Sequence, residues 1–347
     1  MSFLVPKKPQ ILYAPMLSSF GGGSARGFNP GGGGVEPLDV DTVFSIQTYN
    51  GNGGSQTISL TNSIAPNLIL SKARSAANYQ DNHLNDTTRG ATKVLITNGT
   101  TGQMTYPNAI TSIGNGSYQM SDITYNQSSN SYFSYAFKKN ERFFDIVTYT
   151  GTGSAQTISH SLNQEVGMIW VKRTDASEDW GVYHRYLGAT KRMFLNTRGS
   201  VQTSSVDWNN TSPTETAFTV GTANHVNANG GSYIAYLFAH EEGPTGAIAC
   251  GGFTNGTSSV NLGFEPEMLM IKSTTDGSAY TGSWRYTDQA RGGLTAGDSP
   301  YTMFDEGDQE QASAFGNMAE ATSTGFNIRS QGDYGTSSIY WAIKKGS

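Results

Sequence analysis

From residue 43 onward, apolar and polar side chains alternate over short stretches, a pattern typical of β-strands. In residues 44–49 the alternation has a period of two, which matches a half-buried strand. A Gly-rich segment follows, and residues 56–59 are again typical of a strand, so this part of the sequence predicts a β-hairpin. Residues 168–171 and 233–238 are apolar at both parities. They are predicted to form strands buried on both faces.

This pattern returns at intervals of about one hundred residues. Residues 43–59 align with 143–159 without a gap, and a third, more diverged copy begins near Cys250. A lysine follows the apolar run of each copy, as Lys72, Lys172 and Lys272. A lysine after a buried strand commonly marks the exit of the chain to solvent, and we favour that interpretation. A repeated contact between neighbouring copies is the alternative.

The length of the repeat indicates the fold class. A period near one hundred residues is too long for a solenoid and is the usual size of one β-sandwich. We therefore predict an all-β protein of three tandem repeated β-sandwich domains, jelly-roll or lectin-like, at residues 42–139, 140–245 and 246–347. An extended Gly/Pro-rich N-terminal arm at residues 1–41 precedes them.

The arm combines Pro and Gly at high density with short apolar clusters. Regular structure is disfavoured at that density, whereas a flexible linker would carry fewer large apolar groups. A disordered leader is one interpretation. We favour an arm that becomes ordered by docking on a partner, and the predicted anchor residues are Ile11, Leu12, Tyr13, Met16, Leu17, Arg26 and Phe28.

Composition excludes several classes of protein. The chain has 42 glycines among 347 residues and only 14% charged residues, which argues against long helices and coiled coils. Its net charge of −5, without a Lys/Arg run, argues against a nucleic-acid partner. The single cysteine permits no intrachain disulfide. We expect neither a signal peptide nor membrane insertion, because no apolar stretch has the length of either.

Motifs for catalysis and cofactor binding are weak. The five histidines show no zinc-binding spacing, and the glycine runs lack the Gly-Lys-Ser/Thr of a phosphate-binding loop. A Ser/His/Asp triad of residues distant in sequence stays open. The acidic segment 305–310 does not fit an EF-hand, and a solvated loop is favoured over a calcium site. We predict no enzyme activity, no catalytic residues, no metal and no cofactor.

Two aromatic segments, at 180–186 and 283–286, place Trp and Tyr beside Arg. A Trp in a sandwich strand is most often part of the core, and that interpretation is favoured here. Stacking on a sugar ring is the alternative, for which the candidate glycan-binding residues are Trp180, Tyr183, His184, Arg185 and Trp284.

The second copy carries a family resemblance. Residues 148–160, 168–172, 195–197, 216–220 and 233–238, with Trp180 and the pair Tyr183-His184, resemble a β-sandwich module of structural proteins of tailed bacteriophages, especially marine ones. The arm is similar to short leaders that attach appendage proteins to a virion.

The resemblance implies a non-enzymatic virion protein, assembled in the host cytoplasm and located in the particle. It would be a tail fibre, tail appendage or capsid-surface knob that serves host attachment or particle stabilisation. We expect it to bind other virion proteins through the arm and to form a homo-oligomer in the particle, with a host surface glycan as a further candidate partner. A lectin-like module or a glycan depolymerase is the alternative function.

Overall fold

Each hundred-residue repeat folds into one large and one small antiparallel sheet, which confirms the predicted all-β class. The computed structural model describes residues 36–75, 81–121, 123–275, 282–295, 300–305, 318–329 and 334–347. The predicted anchor residues of the arm and most of the acidic segment lie outside these residues, namely Ile11, Leu12, Tyr13, Met16, Leu17, Arg26, Phe28 and residues 306–310.

The strands follow the chain in three similar series. Repeat 1 contains β1 Phe44–Asn50, β2 Gln56–Ser59, β3 Leu68–Ala73, β4 His83–Asp86, β5 Lys93–Ile96, β6 Met104–Thr105, β7 Ile110–Gly114, β8 Ser117–Met120 and β9 Ser131–Phe137. Repeat 2 contains β10 Phe144–Thr150, β11 Gln156–Ser159, β12 Val166–Arg173, β13 Gly181–His184, β14 Lys191–Phe194, β15 Gln202–Thr203, β16 Ala217–Val220 and β17 Ser232–Ala239. Repeat 3 contains β18 Ile248–Thr254, β19 Ser259–Asn261, β20 Pro266–Ser273, β21 Arg285–Asp288, β22 Thr302–Met303, β23 Ala319–Thr322, β24 Gly325–Ile328 and β25 Ser337–Lys344. The short helices of the described residues are α1 Ile123–Asn126, α2 Asn224–Asn227 and two 3-10 turns, Val40–Thr42 and Thr61–Ser63.

The large sheets share one strand order and one register. Their orders are β1-β9-β3-β4-β5-β6, β10-β17-β12-β13-β14-β15 and β18-β25-β20-β21-β22. The three lysines occupy equivalent positions, since Lys72 pairs with Phe133, Lys172 with Ile234 and Lys272 with Ile339. Equivalent residues of the three repeats can therefore be compared one by one.

The small sheets show that the hairpin prediction was wrong. β1 and β2 belong to different sheets, because β1 pairs with β9 whereas β2 pairs with β8. The Gly-rich segment between them carries the chain from one sheet to the other. A Cβ on Gly51 would collide with the carbonyl oxygen of Gln127, and one on Gly151 with that of Ala228. These glycines allow close backbone approach beside the last large-sheet strand of the repeat.

Each large sheet buries both of its faces, as the apolar runs predicted. In repeat 1, Ile69 and Ala136 face the small sheet and form the core within the repeat. Their neighbours Leu68, Leu70 and Phe137 point the opposite way, into a core shared with the other repeats. A strand with two buried faces needs apolar residues at both parities, since successive side chains alternate between the faces.

An aromatic cluster joins the three repeats at the shared core. Phe137, Phe238 and Trp341 come from one repeat each, and their ring centroids lie 5.9, 6.0 and 4.5 Å apart. All three rings are buried. The repeats thus share one core, and residues 37–347 form one compact unit. None of the helices in the described ranges is long and apolar enough to cross a membrane.

Candidate functional site

Trp180 and Trp284, two of the aromatic candidates from the sequence, lie in the contacts between repeats, whereas Tyr183 packs against Trp208 inside repeat 2. Each repeat has one donor residue at these contacts, placed immediately before the strand that follows the lysine-bearing strand and pairs with it. The side-chain N–H of this residue donates to a backbone carbonyl of the preceding repeat. The donor and acceptor pairs are Trp180 to Ile96 (2.9 Å), Trp284 to Phe194 (2.8 Å) and Asn82 to Met303 (2.8 Å). We call these contacts seam 1/2, seam 2/3 and seam 3/1 respectively. Since repeat 1 donates to repeat 3, the three contacts close a ring.

A recurring backbone hydrogen bond positions each of the three donors. Their backbone N–H groups donate to a side-chain oxygen sixteen to twenty-one residues further along the chain. The acceptors are Asn98 for Asn82 (3.1 Å), Asn196 for Trp180 (2.9 Å) and Asp305 for Trp284 (2.7 Å). This recurring bond fixes the backbone from which each donor reaches across its seam.

The repeated lysines are buried, and the interpretation that they exit to solvent was wrong. Lys172 donates from Nζ to the carbonyl oxygen of Thr100 in repeat 1 (2.7 Å). Lys272 donates to the carbonyl oxygens of Arg198 and Gly199 in repeat 2, each at 3.1 Å. These contacts confirm the alternative of a repeated contact between copies for Lys172 and Lys272. Burial lowers the pKa of Lys172 to about 8.

Burial removes four of the five glycan candidates from solvent. Trp180, Tyr183, His184 and Trp284 are each at most 4% exposed, so their rings are not available for stacking on a sugar. The fifth, Arg185, forms an ion pair with Glu165 (2.7 Å) and donates to the carbonyl oxygen of Cys250 in repeat 3 (3.2 Å). Its guanidinium therefore bridges seam 2/3.

Seam 3/1 contains a fully buried charged network that sequence reasoning missed. Arg291 pairs with Asp288 three residues earlier (2.6 Å), and neither side chain is exposed. Tyr135 of repeat 1 donates its hydroxyl to Asp288 (2.6 Å) and accepts from Arg291 (2.7 Å). Burial raises the pKa of Tyr135 well above its ordinary value, so the phenol acts as a neutral donor. Repeat 3 thus supplies the Asp288–Arg291 ion pair, and repeat 1 completes its hydrogen bonding with the hydroxyl of Tyr135.

Seam 1/2 repeats this network with equivalent residues. Arg89 pairs with Asp86 (2.6 Å), and Tyr236 of repeat 2 donates to the same carboxylate (2.8 Å). Register places Asp86 opposite Leu68 and Asp288 opposite Met268, so the two carboxylates are equivalent. The spacing Asp-x-x-Arg, at equivalent positions of copies one and three, is the sequence signal that could have identified both networks.

Seam 2/3 replaces this network with a neutral histidine. His184 occupies the register position of the two aspartates, opposite Met168, and the position of the arginine holds Leu187. The Nε2 of His184 lies 3.1 Å from the carbonyl oxygen of Tyr340 in repeat 3. Burial lowers the pKa of His184 to about 3, so the imidazole is neutral at pH 7.

Two further groups of titratable residues lie elsewhere. Inside repeat 2, buried Asp207 accepts from Nε2 of His225 (2.6 Å) and also contacts Ser204, which holds the loop against α2. At seam 3/1, Glu267 and Asp41 line a cleft of about 230 Å³. Burial, reinforced by Asp288, raises the pKa of Glu267 to about 7. Within the described ranges, no three His, Cys, Asp or Glu side chains are grouped so as to hold a metal ion.

Comparison with protein families gives one match. A model described as a domain of unknown function, DUF7483, matches residues 41–344. The chain belongs to this family. The matched range begins just before β1 and ends with β25, so one DUF7483 domain contains all three repeats and the ring of seams between them. No curated protein matches the chain.

Proposed function

We propose that the protein is a non-enzymatic structural component of a bacteriophage particle, displayed as a tail fibre, tail appendage or capsid-surface knob. Two features support this proposal. One is the resemblance of the second repeat to modules of phage structural proteins. The other, which carries most weight, is the ring of buried seams, because three repeats that each bond to both neighbours form a body suited to resisting mechanical load and proteolysis.

The arm at residues 1–41 supplies the attachment in this proposal. Its apolar clusters, with Ile11, Leu12, Tyr13, Met16 and Leu17 among them, would dock on another virion protein. The last arm residues already belong to the folded body: Val40 is buried, and Asp41 accepts a hydrogen bond from the backbone N–H of Ser347 (3.1 Å). A deletion that tests attachment alone must therefore stop before them.

The test is a deletion of residues 1–35 that leaves residues 36–347 intact. Particles that lack their own copy are complemented with the full chain or with the truncation, and incorporation is measured by quantitative blotting of purified particles. We expect the truncation to keep the full-length melting temperature and to be absent from particles. A matched variant, Ile11→Asp with Leu12→Asp, should show the same loss. Incorporation of the truncation at the full-length level would contradict the proposal.

A further inference from the structure

Two buried histidines at seam 2/3 both use Nδ1 as a hydrogen-bond acceptor. Nδ1 of His184 accepts from the backbone N–H of Tyr186 (3.3 Å), so its Nε2 carries the proton that faces Tyr340. Nδ1 of His240 accepts from the backbone N–H of Cys250 (3.1 Å), on the first strand of repeat 3. A second proton on either ring would bind the nitrogen that already faces an N–H donor. Protonation of His240 therefore breaks its bond to Cys250 of repeat 3, whereas protonation of His184 breaks its bond to Tyr186 inside repeat 2 and keeps the bond to Tyr340. Either event places a positive charge in the buried seam.

The charged groups around these rings do not compensate. His184 faces Arg185 and His240, and both disfavour a second positive charge. His240 faces Arg185 as well as the carboxylates of Glu165, Glu241 and Glu242, which favour its charged form. Those carboxylates already have partners, which are Arg185 for Glu165 (2.7 Å), Arg142 for Glu241 (2.6 Å) and the hydroxyl of Tyr340 for Glu242 (3.2 Å). Burial is the largest influence on both rings and lowers both pKa values.

Acid acts in the opposite direction at seam 3/1. The pKa of Glu267 is raised to about 7, mainly by burial and next by the carboxylate of Asp288. A carboxyl group with a raised pKa binds its proton more tightly in the folded chain, so a fall in pH from 7 towards its ordinary value of about 4.3 favours folding there. The two seams therefore respond to mild acid with opposite signs.

We propose that seam 2/3 is an acid-sensitive hinge, at which proton uptake by His184 and His240 separates repeat 2 from repeat 3 while seams 1/2 and 3/1 stay closed. The segment of chain between β17 and β18 keeps the two repeats connected during this opening. The inference stands apart from the proposed phage function, because it concerns only contacts within the folded body.

The single cysteine reports directly on this seam. Cys250 is buried on β18, and a Cβ added to Gly167 of repeat 2 would lie 2.7 Å from its Sγ. Movement of repeat 2 away from Cys250 would therefore expose its Sγ to a thiol reagent. Cys250 pairs with Trp341, and the equivalent position of repeat 2 is Ile146, which pairs with Tyr236 and is 2% exposed. A cysteine introduced in place of Ile146 therefore supplies a matched reporter for seam 1/2.

The experiment measures labelling of the full chain by 4,4′-dithiodipyridine, a reagent that reacts with thiols in mild acid, at pH 7.5 and pH 5.0. Rates are normalised to the urea-unfolded chain at each pH. If His184 regains an ordinary pKa of about 6.5 on opening, its protonation alone should accelerate labelling of Cys250 by about 30-fold at pH 5.0. The variant Cys250→Ala with Ile146→Cys should change less than about threefold.

Non-titrating variants test the histidines themselves. His184→Gln keeps a donor for the carbonyl of Tyr340 and His240→Asn keeps an acceptor for the N–H of Cys250, so each should remove part of the acceleration. If one variant does not fold, the other tests the same hinge. The proposal is overturned if Cys250 labelling does not accelerate at pH 5.0, if the thiol of the Ile146→Cys reporter accelerates as much as Cys250, or if both histidine variants keep the full acceleration.

Discussion

Seams 3/1 and 2/3 close equivalent surfaces with different chemistry. At seam 3/1 an Asp-Arg pair of one repeat receives a phenol from the next, whereas at seam 2/3 a neutral imidazole meets a backbone carbonyl. Seam 3/1 joins the first and last repeats, with no direct chain connection between them, but seam 1/2 carries the same kind of Asp-Arg pair where the chain runs directly from repeat 1 to repeat 2. Chain connection therefore does not decide which seam has the pair. The difference lies in charge: removal of one partner at seam 3/1 leaves a buried charge unpaired, whereas removal of the imidazole at seam 2/3 leaves only a neutral polar group.

Other polar contacts reinforce the same seam. Besides the donation from Asn82 to Met303, Thr97 donates to the carbonyl oxygen of Phe304 (2.8 Å), and Tyr286 donates to Asn82 (2.6 Å). All of these side chains are buried. Seam 2/3 also has polar contacts, made by Trp284, Lys272 and Arg185, but these do not form a fully buried ion pair. Seam 3/1 should therefore depend more strongly on its buried charges, and seam 2/3 on the protonation state of its histidines.

The largest expected effect breaks the ion pair of seam 3/1. Asp288→Asn removes the carboxylate that pairs with the fully buried guanidinium of Arg291, so the free energy of unfolding should fall by about 3–5 kcal/mol. His184→Asn, at the equivalent position of seam 2/3, removes no charge and should cost about 1–2 kcal/mol. Urea unfolding at pH 7 measures both. Equal losses would mean that the two seams do not differ in the way described above.

A wedge at seam 2/3 is the next largest effect. In Gly167→Ala the new Cβ would lie 2.7 Å from both the carbonyl oxygen of Ala239 and Sγ of Cys250, which should cost about 2 kcal/mol through overpacking. It should also accelerate thiol labelling of Cys250 at pH 7.5. Gly99→Ala is the control, since its Cβ meets only Cγ2 of Ile96 at 3.9 Å. If Gly167→Ala and the control have the same free energy of unfolding, repeat 2 does not pack tightly against Cys250.

A smaller effect tests a single hydrogen bond of seam 3/1. Thr97→Val keeps the shape of the side chain but removes the donor to Phe304, and it leaves that buried carbonyl with one bond fewer. We expect a loss of about 1 kcal/mol in the free energy of unfolding. Thr148→Val, on an exposed position of β10, should stay within about 0.5 kcal/mol of the parent chain. If Thr97→Val lowers the free energy of unfolding no more than Thr148→Val does, the hydrogen bond to Phe304 does not stabilise this seam.

Sequence reasoning identified the strands and the repeat but not the way in which repeats meet. Residues 168–171 predicted a strand buried on both faces, because successive side chains point to opposite faces and all four of these residues are apolar. The partner on the second face was not visible, since any apolar surface could cover it. The hairpin prediction failed for a related reason: a Gly-rich connection between two strands does not reveal whether they share a sheet.

The candidate residues show the same limit at the level of side chains. The sequence shows Trp180 and Trp284 in two similar aromatic segments, but their partners, the carbonyls of Ile96 and Phe194, lie about ninety residues away and carry no side-chain signal. Asn82 occupies their position in repeat 1 with a different side chain. Alignment of the repeats reveals such equivalence only when the residue type is retained, whereas the hydrogen bond needs only an N–H donor.

The smallest expected effect concerns the acid response of seam 3/1. Glu267 has a pKa of about 7, so it is mostly ionised only above pH 7. Burial and the carboxylate of Asp288 make this ionised form unfavourable. Glu267→Gln should therefore stabilise the chain at pH 8 by less than about 1 kcal/mol, because solvent at the cleft screens much of the penalty. At pH 5 the parent residue is mostly protonated in the folded state, and the gain should largely vanish. Melting temperatures of both chains at pH 8 and pH 5 measure this difference. A gain of the same size at both pH values would mean that the carboxyl of Glu267 does not titrate in this window. Seam 3/1 would then have no acid response opposite to that of the histidines at seam 2/3.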